Sequence, residues 1–373
     1  MQSPAILTVL AAAVGLGGLT AGESWPQWRG VNRDGRTAEV SGWNGKDWQI
    51  RKVWGKNVWG RGNSAPIIVA GRAYLTGHAK GRDHVCCLEA ATGKLLWRRS
   101  YKAREFSRKI KTRNRKYIGG PISTPTFDVE TKYLYTYNPD GILKCWNTAG
   151  DGAEVWTKDI LKIYDPPVKG EEFGQISCPL IDGRLLVLEV GAAEKGCLVA
   201  FDKTTGKEVW QSAAGRPHGR SGSPVKLTVD GVTCYAAFAA GAVVVVRGDN
   251  RKTVGEVPWQ AQYGHHCATP VVVSGDKLLC TSVGRTKTTL LQVSLNGSKP
   301  IWTARARAKT VSPVLSGDGK RAFFSDGGRI RGVDMADGRT ILAVKGKIGG
   351  DSEANMVGTG DGKLVVWGGN KLV

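Results

Sequence analysis

An all-β propeller is the fold class this sequence predicts, and three observations carry it. One unit recurs down the chain: a small residue and a proline, an apolar strand, then a Gly-x-x-x-Trp step about thirty residues later. The prolines are Pro66, Pro125, Pro179, Pro224, Pro270 and Pro313; their partners are Trp97, Trp156, Trp210, Trp259, Trp302 and, in the last copy, Leu342. The first three separations are identical, 66 to 97, 125 to 156 and 179 to 210, and length changes come only late or between units. A fixed period of this kind marks one supersecondary module repeated. Within each unit the apolar runs are short, rich in β-branched and aromatic residues, and bounded by Gly, Asp and Asn turns.

The third copy shows the module in order. Pro179-Leu180-Ile181 opens it, and Asp182-Gly183-Arg184 turns the chain into Leu185 through Val190. A Gly-rich break precedes Cys197 through Phe201, and the turn Asp202 through Lys207 leads into Glu208-Val209-Trp210. None of these runs has the length or spacing of a helix. A four-stranded antiparallel sheet of about 40 residues, repeated around an axis, is a propeller blade. A β-helix repeats at a shorter period, and a sandwich does not restate one module six times.

The chain ends bear on the blade count. Met356 through Val373 restates the start of a blade: Gly360-Asp361-Gly362-Lys363 repeats Gly317-Asp318-Gly319-Lys320, Leu364 through Trp367 follows, and no fourth strand remains. Ile50 through Trp54, with Trp54 in the repeated tryptophan position, is expected to supply it. Pairing the two ends removes the open sheet edges each would otherwise present. Seven blades are expected, the seventh composite; six and eight are the alternatives.

Three segments follow: a leader over 1–22, an extension over 23–45 and the propeller over 46–373. Ala5 through Leu19 is apolar, and the small residues Thr20, Ala21 and Gly22 precede Glu23, the pattern of a secretory signal cleaved near Ala21 or Gly22. The n-region carries no Lys or Arg, which departs from that pattern. An anchor helix is disfavoured because the run is shorter than about 20 residues and contains three glycines. The expectation is an exported protein, periplasmic or extracellular, monomeric and without a membrane span after cleavage.

Of the eight cysteines, Cys87, Cys145, Cys178, Cys197, Cys234, Cys267 and Cys280 fall in predicted strands and read as small buried apolar residues. No C-x-x-C occurs, which argues against zinc ribbons, thioredoxin chemistry and covalent haem. Cys86-Cys87 admits an adjacent-residue disulfide, but neighbours on a strand point to opposite faces, and buried thiols are the expectation. His265-His266-Cys267 suffers the same divergence, so no metal site is assigned.

Ala90-Ala91-Thr92-Gly93-Lys94-Leu95-Leu96-Trp97 and Asp202 through Trp210 resemble the pyrroloquinoline-quinone-type (PQQ-like) propeller repeat. Trp25-Pro26-Gln27-Trp28-Arg29-Gly30, with Asn32-Arg33-Asp34-Gly35, resembles the opening of exported propellers of the planctomycete type. The resemblance covers residues 25–373. It implies that the repeated tryptophan of each blade docks on its neighbour, which gives Trp54, Trp97, Trp156, Trp210, Trp259 and Trp302 a structural role. Burying an indole at the end of each outer strand removes about 150–250 Å² from water, so the packing reading also stands on chemistry alone.

The same resemblance implies a rival function, a PQQ-dependent oxidoreductase. Such enzymes hold the quinone on the axis between a tryptophan face and an adjacent-cysteine disulfide, with Glu, Asn and Asp around calcium. They are longer and eight-bladed, and no carboxylate-rich axial cluster can be assembled here. No catalytic residue is carried over, and no cofactor is expected; PQQ with calcium belongs to the rival reading. No nucleophile elbow, H-E-x-x-H or calcium loop occurs either.

Topology and charge point elsewhere. In a four-stranded blade, the links from outer to next inner strand and from second to third strand emerge on one face, here the loop face. His78 and His84 flank one such loop, with Lys80 and Arg82 between them; His218 with Arg220, and His265 with His266, lie in inter-blade links. The longest basic run, Arg104, Arg108, Lys109, Lys111, Arg113, Arg115 and Lys116, is the first inter-blade link, and Arg285 and Arg305 join the same side. Turns on the opposite face pair Lys or Arg with Asp or Glu. The net charge of +21 and pI near 9.7 exceed what solubility needs, and such a field concentrates polyanions; a proteome-wide basic bias is the bland alternative. Export and the lack of a nucleic-acid module argue against nucleic acid. The expected function is therefore a non-catalytic binding or scaffold propeller, its basic face engaging an anionic polysaccharide or an acidic envelope protein.

Overall fold

The structure is a computed structural model describing residues 6–9, 24–46, 52–57, 60–104, 106–110, 115–167, 174–217, 223–259, 268–281, 287–306, 308, 311–326, 329–345, 354–368 and 371–372. The predicted module is present as an antiparallel sheet whose strands lie in chain order. Blade 3 comprises Leu180–Asp182, Leu185–Glu189, Leu198–Asp202 and Glu208–Gln211, within a residue or two of the reading from turn chemistry. Its last turn closes because Asp202 accepts from the amides and hydroxyls of Thr204 and Thr205 while Gly206 takes φ +68°.

Six four-stranded sheets span 67–102, 126–159, 180–211, 225–258, 271–304 and 314–345, and a three-stranded seventh occupies 355–372. The core lies between blades rather than within them. Tyr135, Tyr137, Leu143 and Cys145 of blade 2, for example, pack with Leu186, Leu188, Val199 and Phe201 of blade 3. Wedge-shaped sheets stacked this way bury both faces, hence the nearly continuous apolar runs.

The tryptophans make the joints. The indole N–H groups of Trp54, Trp156 and Trp302 donate to the carbonyls of Ala90, Lys203 and Met335 in the following blade, at 2.8, 3.2 and 2.9 Å. Each ring also covers the turn glycine just beyond. A Cβ added to Gly93, Gly206 or Gly338 would lie 2.7, 2.8 or 2.6 Å from a ring carbon, and Gly152 stands likewise 2.7 Å from Trp97. Glycine is required there twice over, for its positive φ and for the approach of the ring.

Ring closure follows from the same geometry. Trp54 precedes blade 1 yet docks on its turn glycine, so it takes the place of the tryptophan that the outer strand of blade 7 would carry. The N-terminal side thus supplies the joint between the seventh sheet and blade 1, although its strand is not hydrogen-bonded to that three-stranded sheet among the described residues. The strand begins at Trp54 rather than ending there: it is Trp54–Asn57, and Ile50 and Arg51 lie outside the described residues. It pairs antiparallel with Ile6–Val9; the rest of the expected leader lies outside the described residues. Among the described residues no helix is long and apolar enough to cross a membrane.

Trp259 departs from the expected pattern. In blades 1, 2 and 3 the tryptophan stands opposite Cys87, Cys145 and Ala200 of the third strand; in blade 4 the equivalent pair is Val245 and Gly255. Trp259 lies past the end of its strand, against Phe238 at 5.8 Å. At the glycine's position in this turn stands Arg251, at φ +64°. The cysteine reading fares better. Cys86, Cys87, Cys145, Cys178, Cys197, Cys234 and Cys280 are buried free thiols, although Cys178 and Cys197 sit just before strands; Cys267 lies outside the described residues. Cys86 and Cys87 pack in different clusters, and burial pushes their thiols up to about 12 and about 11.

Candidate functional site

Two regions of this ring gather polar chemistry: the loop face over blades 1 and 2, and the axis. On the loop face the link between blades 1 and 2 is more than a loop. Phe106–Ile110 and Arg115–Gly119 form a hairpin with Lys109 opposite Lys116 and Arg108 opposite Tyr117. Lys111 and Arg113 lie outside the described residues. At the hairpin's base is a groove of roughly 610 Å³ lined by Lys102, Ala103, Arg104, Asp140, Ile142, Asp159, Leu161 and Lys162. Both acids there are engaged. Asp140 accepts from the amide and Nε of Arg104 at 2.7 and 2.6 Å, and Asp159 caps the short helix Ile160–Tyr164 by accepting from the Lys162 amide at 3.0 Å. Lys80, Lys102 and Lys162 have no ion-pair partner among the described residues.

Other expected loop-face residues divide. Arg82 is exposed and donates to Ser100, at 3.2 Å to its hydroxyl and 3.0 Å to its carbonyl; Arg305 is exposed. His78 and His84 are corrections, because neither presents an exposed imidazole. His78 is buried, with Nδ1 2.7 Å from Asp83, whose other oxygen accepts from Asn138 of blade 2 at 2.8 Å. His84 is half-buried, its pKa lowered by burial and then by Arg98. Burial raises the Asp83 pKa, against the hydrogen bonds from Asn138 and His78. The cluster clamps blade 1 to blade 2. His218, Arg220, His265, His266 and Arg285 lie outside the described residues.

Two cations of the opposite face form ion pairs between blades. Lys203 lies 2.8 Å from Asp128 and 2.6 Å from Glu130, bridging blades 3 and 2. Lys226 reaches Asp182 across blades 4 and 3 at 2.6 Å.

The axis was not read as a site from sequence. The innermost strand of each blade lacks a neighbour on its axial side, which leaves main-chain groups to be satisfied there. Residues 24–46 do this. Trp25 exchanges two bonds with Ile68 of blade 1, Pro26 accepts from Phe127 of blade 2, and Gly358 of blade 7 exchanges with Gly35 and Thr37. The Trp28 indole donates to Thr269 of blade 5 at 3.0 Å. Arg29 donates to the carbonyls of Ser312 and Pro313 in blade 6, at 3.2 and 2.5 Å, and to those of Arg33 and Asp34. Arg33 donates to Pro224 at the start of blade 4 (2.7 Å), to Cys178 (3.1 Å) and Pro179 at the start of blade 3, and to Gln27 Oε1 (3.0 Å). Seven blades are thereby tied to one segment. The carbonyls received by these arginines from the blades come from the repeated small-residue–proline step, which lies just before each inner strand.

Arg29 and Arg33 are only 6% and 4% exposed. Burial lowers both guanidiniums to about 10, opposed by Asp34 for Arg29, so both remain charged at neutral pH. The segment leaves the axis along blade 7, where the Ser41 amide and hydroxyl donate to Asp361 at 3.0 and 2.7 Å. The only hint in the sequence was that Trp25 through Gly35 lies outside the repeat while carrying two arginines among glycines.

A family model described as outer membrane protein assembly factor BamB matches residues 81–344. Among solved structures the chain is similar to BamB from Moraxella catarrhalis, with 16% identity, a TM-score of 0.59 and 98% of each chain covered. It is also similar to a europium-containing methanol dehydrogenase, with 13% identity, a TM-score of 0.57, and 85% of this chain and 76% of that one covered. At such identities these two structures speak for the fold alone, and one is an enzyme while the other is not named as one. No curated protein matches the sequence. The family match spans well over half of the chain, which therefore belongs to the family described as outer membrane protein assembly factor BamB, built of PQQ-like propeller repeats.

Proposed function

We propose that this chain is a non-catalytic scaffold propeller on the exported side of the cell envelope, binding an acidic protein partner or an anionic polysaccharide through its loop face. The observation that carries the reading is the hairpin between blades 1 and 2. It sets Lys109 directly opposite Lys116, and like charges facing each other across strands disfavour the pair in isolation. An anionic partner turns that cost into attraction. The groove at the hairpin's base supports the same reading, because the fold consumes its acids and leaves lysines available. A family described as an assembly factor is consistent with binding to protein. Arg29 and Arg33 on the axis speak against the oxidoreductase alternative, since the place for an axial quinone is taken.

The test is retention of the mature protein on immobilised heparin and polyglutamate across a salt gradient. Lys109→Glu with Lys116→Glu should elute at clearly lower salt than wild type, because the attraction between opposite charges is screened by salt. Equal elution from both resins would reject the hairpin as the contact. N-terminal sequencing of the exported protein should give a start near Ala21 or Gly22.

A further inference from the structure

We propose that the axis of this propeller is a guanidinium-binding site, filled in cis by Arg33 and Arg29 of the N-terminal segment. The site is made of neutral oxygens. Arg33 is received by main-chain carbonyls of Cys178, Pro179 and Pro224 and by Gln27 Oε1; Arg29 is received by Ser312, Pro313, Arg33 and Asp34, again through carbonyls. No carboxylate oxygen is among these acceptors. Selection must therefore come from shape: a planar fork of five donors meets carbonyls arriving from separate blades, whereas an ammonium is a point charge with three donors.

The backbone at both arginines is unusual. Arg29 and Arg33 adopt φ of +66° and +56°, a left-handed conformation costing about 1 kcal/mol or more for a residue with a Cβ. Both sit in turns closed by the bonds Gly30 N–H to Gln27, Arg33 N–H to Gly30 and Gly35 N–H to Arg29, and their side chains are held by the carbonyls of blades 3, 4 and 6. The same acceptors do not fit the quinone that the enzyme relatives of this fold carry there. PQQ is a polycarboxylate, and carbonyl oxygens offer an anion no donor. The described residues also contain no group of three or more metal-ligating side chains to hold calcium. Here the chain's own cations take the axial position.

The experiment is chemical rescue. In the full chain, Arg33→Ala should lower the thermal midpoint by about 5 °C or more, and low-millimolar guanidinium should restore a saturable part of that loss. Tetramethylammonium at equal ionic strength should restore none, and Arg33→Lys should behave like the alanine variant. An unchanged midpoint in Arg33→Ala, or guanidinium acting alike on variant and wild type, overturns the proposal. If Arg33→Ala does not fold, hydrogen exchange of wild type decides: amides of Trp25, Ile68, Phe127 and Thr37 should exchange as slowly as those of the blade cores. Fast exchange at those amides rejects a filled axis. Polyanion retention is independent of this outcome, so the two proposals fail separately.

Discussion

The axis and the loop face are both cationic, and they use the same residue types in opposite ways. At the axis Arg29 and Arg33 are buried and their donors are consumed by carbonyls from blades 3, 4 and 6. On the loop face Lys80, Lys102 and Lys162 have no ion-pair partner among the described residues, and Lys109 stands opposite Lys116 in the strand register. A buried guanidinium with satisfied donors joins elements, because removing it strands several acceptors at once. An exposed ammonium contributes little to folding and remains available to a partner. Net charge alone cannot tell these apart; only the acceptors around each group can.

The sharpest break in that comparison is Arg29→Met, which keeps the apolar stem and deletes the fork. The carbonyls of Ser312 and Pro313 are then left buried without a donor, at about 1–3 kcal/mol each. The urea midpoint should fall by an amount equivalent to about 3 kcal/mol or more. Arg82→Ala, on the exposed loop face, should stay within about 0.5 kcal/mol of wild type. Equal losses in the two variants would erase the distinction.

Next comes the hairpin. Lys109→Glu alone places opposite charges across the strands, so stability should hold or rise by a few tenths of a kcal/mol (about 0.2–1), while salt-dependent retention on heparin weakens. A fall in both would mean that the hairpin lysines serve the fold, as Arg29 does, rather than a ligand.

How much of this was legible follows from where each partner lies. Blade 3 was readable almost to the residue because Gly183 and Gly206 mark its turns and its apolar runs fill the intervals. Trp54 could be placed in the ring because the indole position repeats. Trp259 misled because Gly255 stands four residues before it, mimicking the Gly-x-x-x-Trp step, whereas Gly255 itself faces Val245 in the tryptophan's register. Residue type does not reveal exposure, so His78 read as a surface base until strand pairing set it opposite Asp83. The hairpin was hidden because its alternating positions are crowded with charge. The axial segment was least legible of all: the acceptors of Arg29 and Arg33 lie up to 284 residues away, and no local pattern encodes such distances.

The smallest expected effect lies where the axial segment emerges. Asp361 is exposed, and hydrogen bonds from Thr359 first and then from Ser41 lower its pKa to about 2. Because the folded value lies below the ordinary carboxylate range near 4, its contribution is present above that range and is lost as pH falls through the folded value. Acidification from about pH 5 to pH 2 should therefore lower the protection factor of the Ser41 amide, measured against the intrinsic rate at each pH, because that amide donates to Asp361. The Trp25 amide, bonded to the Ile68 carbonyl and remote from any such carboxylate, should remain protected. Ser41→Ala should move the transition at the exit end to higher pH, by removing one of the groups that stabilise the ionised acid. Loss of protection at Trp25 and Ser41 together would show that the segment detaches as one piece, and that the axial arginines hold it no more firmly than a surface carboxylate does.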